Sequence, residues 1–213
     1  VINNDGSFGT IMGLGCETDF VAKNQAYIDF AKSISDVAMA NKAESKEALM
    51  AMTMDGITIA EKIAEQVGKI GEKIDITDYA LLSAETVVAY NHSNGKVGVL
   101  VAMNKKGEAV ETVGKDVTMQ IAAMSPIAID KNDVPEEVKT REMEIGREQA
   151  RAEGKPEAIL EKIATGKLEA YFKDATLLNQ KFVKDNSKSI RDVLTAVDKD
   201  LTVTAFKRIG LGA

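Results

Sequence analysis

"SFGTIMGL", residues 7–14, and "KVGVLVAM", residues 96–103, carry the same pattern of aliphatic and β-branched residues alternating around a shared Gly. Alternation puts successive side chains on opposite faces of an extended chain, so each stretch reads as a strand. Further along, "FAKSISDVAMA" (30–40) matches "VGKDVTMQIAA" (113–123). Phe30, Ile34, Val37 and Ala38 fall against Val113, Val117, Gln120 and Ile121 at the spacing of one helix face. The helices are offset by fewer residues than the strands, so the two units share a plan and differ in loop length.

Each unit closes with a further alternating strand, "KIDITDYALLS" (73–83) in the first and "LTVTAFKRIG" (201–210) in the second. The expected fold class is therefore α+β, with two related lobes, residues 1–83 and 84–213, each a small antiparallel sheet packed with helices. Residues 85–103 read as a hairpin, because Asn94 and Gly95 tolerate the positive φ of tight primed turns. Two excursions interrupt the plan. Residues 44–69 hold "TIAE" (58–61), a capping box that opens a helix ending near Gly68 or Gly71. Residues 133–174 read as a helical hairpin, a coiled coil, with Asp133 as N-cap and Pro135 in the first turn. One helix runs to about Ala152, "EGKP" breaks it, and a second runs from Pro156 to Lys173. Of these 42 residues 19 are charged. Only a narrow stripe, Ile159, Leu160, Ile163, Leu168 and Phe172, is left to hold the helices together, and the pair is expected to project roughly 25 Å at 1.5 Å per residue.

Composition narrows the function. With 45% hydrophobic and 28% charged residues the 213-residue chain is globular, and 5% aromatics without Trp leave little surface for stacking bases. The net charge of −6 repels phosphate, so nucleic acid is not an expected partner. No Gly-Lys pair precedes Ser or Thr and no GxGxxG follows a strand, so no direct nucleotide binding is expected. One His and one Cys, far apart, leave metal sites without ligands, and no metal or other cofactor is expected. A Cys16–His92 nucleophile pair lacks an orienting third group, and Cys16 reads as an inert strand-end thiol. The carboxylates read as a solvated surface, not an acid and base pair, so no enzyme is expected. The single Cys, with no signal peptide or membrane-length apolar run, points to a reducing cytoplasmic setting and no membrane. The opening "VINNDGSFG" lacks Met and reads as a strand end, so an N-terminal part is expected to have been removed.

"CETDFVAKN" (16–24) breaks the apolar logic. The helical stripe Tyr27, Ala31, Ile34, Ala38 lies downstream of polar Lys23 and Asn24, which leaves Phe20 and Val21 beyond a gap where Thr18 or Asp19 caps a turn. Core packing is the usual fate of a phenylalanine, and His92 alone reads as a polar residue by a hairpin tip. The competing reading of Phe20 is an exposed anchor on a rigid turn, the kind of residue that dominates an interface.

"TDFVAKN" (18–24), "KIGEKIDI" (69–76), "GKVGVLVAM" (95–103) and "EGKPE" (153–157), in that order, resemble the elongation factor Ts family over nearly the whole chain. The resemblance implies a two-lobed core with a coiled-coil excursion. It also implies guanine-nucleotide exchange on elongation factor Tu, the GTPase that delivers aminoacyl-tRNA to the ribosome. In that family an Asp-Phe pair intrudes between two helices of the GTPase, and Asp19 and Phe20 stand in the motif with Thr18 and Val21 beside them. By the same resemblance Ile70, Gly71 and His92 touch the GTPase. Val183, in "KFVKD", stands where a "PFVM"-like segment meets the GTPase's third domain, with Lys184 in place of an apolar neighbour. The chain departs from the family's Glu-Val-Asn strand end at Gly13, Leu14 and Gly15, and nothing in it resembles the family's small N-terminal helical domain. A helical-hairpin adaptor or chaperone-like scaffold, binding clients without altering a nucleotide site, is the alternative.

Overall fold

The computed structural model describes residues 2–92 and 95–211. The quoted repeats become the middle strands of two three-stranded antiparallel sheets. The first copy runs β1 (Ile2–Asn4), β2 (Phe8–Gly15), the single turn α1 (Asp19–Ala22) and α2 (Gln25–Asn41). After an excursion of α3 (Lys46–Ala51), β3 (Thr53–Met54), β4 (Ile57–Thr58) and α4 (Ile59–Ile70), it closes on β5 (Asp75–Ser83). The second copy repeats the order with β6 (Thr86–Asn91), β7 (Val97–Met103) and α5 (Glu108–Met124). Its excursion holds α6 (Glu136–Ala152), α7 (Glu157–Ala175), β8 (Lys181–Phe182), β9 (Asp185–Ser189) and α8 (Ile190–Val197), before β10 (Val203–Gly210). The sheet orders β1-β2-β5 and β10-β7-β6 are the same plan twice. The 85–103 hairpin is present as the β6–β7 pair, and Asn94 of its turn lies outside the described residues.

Two compact units emerge, one of the residues up to Ala122 with those from Thr202 onward, the other Ala123–Leu201. In the first, β2 is buried on both faces. Met12 and Leu14 point into a cluster with Tyr27, Ile34, Leu49, Ile59 and Ile76, where the predicted stripe Tyr27, Ala31, Ile34 and Ala38 is buried throughout. Ile11, on the opposite face, meets Val87, Leu100 and Ile209 of the second sheet. Gly13 is tightly packed: a Cβ there would sit 2.6 Å from Thr77 Oγ1 and 3.2 Å from Ile209 Cγ2. The β2–β5 register shifts by one residue just beyond it, and pairing continues in the shifted register to Gly15↔Asp75 despite the Gly13-Leu14-Gly15 departure.

The first excursion is richer than the sequence predicts, because α3 and the β3–β4 hairpin precede the capping-box helix. That box forms as expected on α4: Thr58 Oγ1 accepts from Glu61 N at 3.2 Å and Glu61 Oε2 accepts from Thr58 N at 2.8 Å. Of the two expected stops, Gly71 is the one used, at φ 78.

In the second unit two expectations are corrected. Asp133 does not cap α6. It closes a 3-10 turn, its Oδ2 accepting from Asp130 N at 3.0 Å, and Pro135 occupies the cap position. The hairpin seam also differs, since Ile159 is exposed while Leu160 and Phe172 are buried. Small residues, Gly146 and Ala150 facing Leu160 and Ala164, let the helices approach closely, and a Cβ on Gly146 would stand 3.1 Å from Ala164 Cα. Arg147 bridges Glu144 and Glu161 at 2.8 Å across the charged exterior.

Candidate functional site

The site begins where β2 ends. Thr18, in extended backbone, is the N-cap of α1, and its Oγ1 accepts from Val21 N at 3.4 Å. Ala22 N donates to Thr18 O and Lys23 N to Asp19 O, both at 3.1 Å, which completes one helical turn. The chain then stops and restarts, because Asn24 Oδ1 accepts from Ala26 N at 2.9 Å and caps α2. Phe20 therefore sits on a separate turn ahead of the long helix, with a cap at each end. Successive residues of such a turn point about 100° apart. Val21 takes the inward direction, packing with Cys16 and Ile70 on the first core cluster. Phe20 takes the outward one and is 89% exposed, the most exposed large apolar side chain among the described residues.

Asp19 also faces out, and its carboxylate is divided between two cations. Lys96 Nζ stands 3.3 Å from Oδ1 and Lys23 Nζ 3.5 Å from Oδ2. The hydrogen bond from Lys96, then the charges of both lysines, hold the Asp19 carboxyl below its ordinary range. Lys96 belongs to the loop before β7, so this contact ties the turn to the β6–β7 hairpin.

The same hairpin carries His92. His92 N donates to Val97 O at 2.9 Å, Gly95 N donates to His92 O at 2.8 Å, and the exposed imidazole meets Tyr90 OH through Nδ1 at 2.8 Å. Ile70 ends α4 half-buried on the core, and Gly71 follows, exposed, in the left-handed conformation. The next residue, Glu72, reaches back to the turn. Its Oε2 accepts from Glu17 N at 3.1 Å and Thr18 N at 3.0 Å, and its Oε1 accepts from Thr18 Oγ1 at 2.6 Å.

Seven of the eight residues singled out from the sequence, Thr18, Asp19, Phe20, Val21, Ile70, Gly71 and His92, thus lie on three elements of one unit that side-chain contacts join. Thr18, Asp19 and Lys96 also line one open cleft of about 1010 Å³. Val183 belongs to the other unit, exposed after β8. Glu72 and Lys96 are the residues that sequence reading did not single out. Each acts on a residue more than fifty positions away, and no local pattern announces such a partner.

The chemistry of this surface is that of contact. Cys16 Sγ donates to Thr18 O at 3.4 Å, which places the thiol in the turn's own hydrogen bonding. Among the described residues no three His, Cys, Asp or Glu side chains gather as a metal ion would require, and no helix is long and apolar enough to cross a membrane.

Comparison with known proteins gives one family. The family model described as elongation factor TS matches residues 17–213. A protein named elongation factor Ts from Cytophaga hutchinsonii is 52% identical over 212 residues, covering 99% of this chain and 76% of that protein. One of the same name from Amoebophilus asiaticus is 49% identical over 213 residues, 100% and 77% of the two chains. A third, from Flavobacterium psychrophilum, is 42% identical over 212 residues, again 100% and 77%.

Proposed function

The chain belongs to the elongation factor Ts family, and from that premise we propose that its Thr18–Val21 turn is the wedge with which it speeds GDP release from elongation factor Tu during translation elongation. The observation that carries this reading is the position of Phe20, held 89% exposed on a turn capped at both ends. A large apolar ring kept in water on a rigid support adds nothing to its own fold and is suited to burial in another molecule.

An exchange factor must bind its nucleotide-free partner more tightly than the nucleotide-bound one. By linkage it then weakens nucleotide binding by the same factor, with no bond made or broken. Burying one phenylalanine contributes roughly 1.5–3 kcal/mol, and each 1.4 kcal/mol is tenfold, so Phe20 supplies roughly a tenfold to hundredfold share of that coupling. In this reading Asp19 meets polar groups of the GTPase, Ile70, Gly71 and His92 extend the contact, and Val183 contributes from the other unit. The lobes 1–83 and 84–213 serve as the two halves of the support. The setting is the cytoplasm, and the protein has no covalent chemistry of its own.

Release of a fluorescent GDP analogue from elongation factor Tu tests the reading. Added chain accelerates release, and Phe20→Ala removes most of the acceleration while the melting temperature is kept. A chain that binds the GTPase and leaves the release rate unchanged would be a binding scaffold, and the exchange reading would be abandoned.

A further inference from the structure

We propose that Glu72 is a positioning residue for exchange, its carboxylate clamping the residues ahead of α1 so that Phe20 is presented in one orientation. This inference rests on the exchange reading above. The observation is a three-point grip: both oxygens of one side chain take the backbone N–H of Glu17, the backbone N–H of Thr18 and the hydroxyl of Thr18 at 2.6–3.1 Å. The hydroxyl proton is thereby committed to Glu72, which leaves a lone pair of Oγ1 for Val21 N. A chain of contacts runs from Glu72 through Thr18 into the first amides of the turn.

The clamp has a physical purpose. α1 is four residues long and none of them is fully buried, so its own hydrogen bonds and packing give it little hold. Ordering one loose residue on binding would lower affinity by roughly five- to thirty-fold. A wedge works only if that ordering is done beforehand. Hydrogen bonds to a carboxylate are the strong kind, and here three converge on the two residues ahead of α1, whose other hydrogen bonds are to the turn itself and to Cys16. The carboxylate also follows Gly71 directly. The left-handed residue that ends α4 therefore turns the chain toward the Thr18 loop, and the Ile70–Gly71 element and the Phe20 turn are held as one surface.

The test pairs a rate with a structural readout on the full chain. In GDP release from elongation factor Tu, Glu72→Ala slows the accelerated rate about tenfold, the size of one charge-assisted hydrogen bond. Glu72→Gln, which keeps the length and one acceptor oxygen, recovers part of it. The double variant Phe20→Ala/Glu72→Ala loses less than the sum of the two single losses, because much of what Glu72 contributes passes through the ring it positions. Amide hydrogen exchange in the free chain reads the clamp without the partner: protection of Glu17 N and Thr18 N is lost in Glu72→Ala while α2 and α4 keep theirs. Additive losses in the double variant, or a wild-type rate in Glu72→Ala, would overturn the inference. So would unprotected Glu17 and Thr18 amides in the wild-type chain. If the wild-type chain does not accelerate release at all, the exchange reading fails, and the amide protection still decides whether the clamp exists.

Discussion

Phe20 and Val21 are consecutive residues of one helical turn with opposite surroundings: the Phe20 ring is 89% exposed, while Val21 packs on the core cluster of Met12, Ile34 and Ile76. Their substitutions separate function from stability. Phe20→Ala is expected to lower the GDP-release acceleration at least tenfold and to shift the melting temperature by no more than about 1 °C, since an exposed ring leaves no cavity. Ile34→Ala, at a site with no exposure, is expected to cost about 2–5 kcal/mol of stability. Calorimetry of both variants beside the release assay checks the pair, and a Phe20→Ala protein that melts many degrees lower would place the ring in its own core.

The lobed plan was legible because both copies obey simple periods: two for β2 and β7, and three to four for α2 and α5. What escaped were features that local pattern does not encode. Asn24 is the N-cap that separates α1 from α2, yet a polar residue at that place reads equally well as a break in one helix's stripe. Asp133, a good cap residue one position before Val134, was outcompeted by a 3-10 turn that its own carboxylate closes. At the hairpin seam apolar character alone points to Ile159, which is exposed, whereas close helix approach selects Gly146 and Ala164. At the site, the exposed turn, the capping glycine and the hairpin histidine could be named from the sequence. The side chains joining them, Glu72 and Lys96, act across 54 and 77 residues.

The Lys96–Asp19 contact predicts a titration. Lys96 holds the Asp19 carboxyl below its ordinary value, so the contact stabilises the fold above the normal carboxylate range and is lost as pH falls through the lowered folded value. NMR titration should show the Asp19 midpoint rising in Lys96→Ala toward the ordinary carboxylate range, with the difference shrinking in 1 M salt. The pair is more than two-fifths exposed on both sides, so the rate of GDP release should change by less than about fivefold. An unmoved Asp19 midpoint would mean that Lys96 does not hold it.

The two ends of α4 are expected to differ in kind. Thr58→Ala removes a capping box and should cost about 1 kcal/mol, read as a lower urea midpoint with the slope unchanged. Gly71→Ala creates no clash, since nothing lies within 4 Å of a Cβ there, and acts only through its φ of 78. It too should cost about 1 kcal/mol. Because Gly71 aims Glu72 at the Thr18 loop, Gly71→Ala should also slow GDP release, and Thr58→Ala should not. Equal rates in the two variants would count against a link between the helix end and the turn.

In the helical hairpin, Gly146→Leu places a side chain where a Cβ already stands 3.1 Å from Ala164 Cα. Overpacking of this kind costs about 1–3 kcal/mol. Amide exchange along α6 and α7 should quicken, while Ile159→Glu, on an exposed position, should leave it unchanged. Matching exchange in the two variants would contradict the seam described above.

Stability should form a plateau between an acid limb and an alkaline limb, each with a named origin. Backbone amide hydrogen bonding from Thr58, joined by the Thr58 hydroxyl, holds Glu61 below its ordinary value, and the Ser189 hydroxyl and amide do the same for Asp192. Such groups bind more protons in the unfolded chain, so stability rises with pH through the carboxylate range and is lost as pH falls below about 4. At the other end, burial pushes the Tyr79 phenol up to about 12 and also raises Tyr27; the two hydroxyls donate to Ala43 O at 2.7 Å and Leu14 O at 3.0 Å. Here the folded value lies above the unfolded one, so the contribution is complete below pH about 10 and disappears as pH rises toward the folded value. Urea midpoints measured from pH 3 to pH 11 should therefore flatten on the acid side in Glu61→Gln and on the alkaline side in Tyr79→Phe. If both variants only lower the whole curve without changing either limb, these groups do not set its shape.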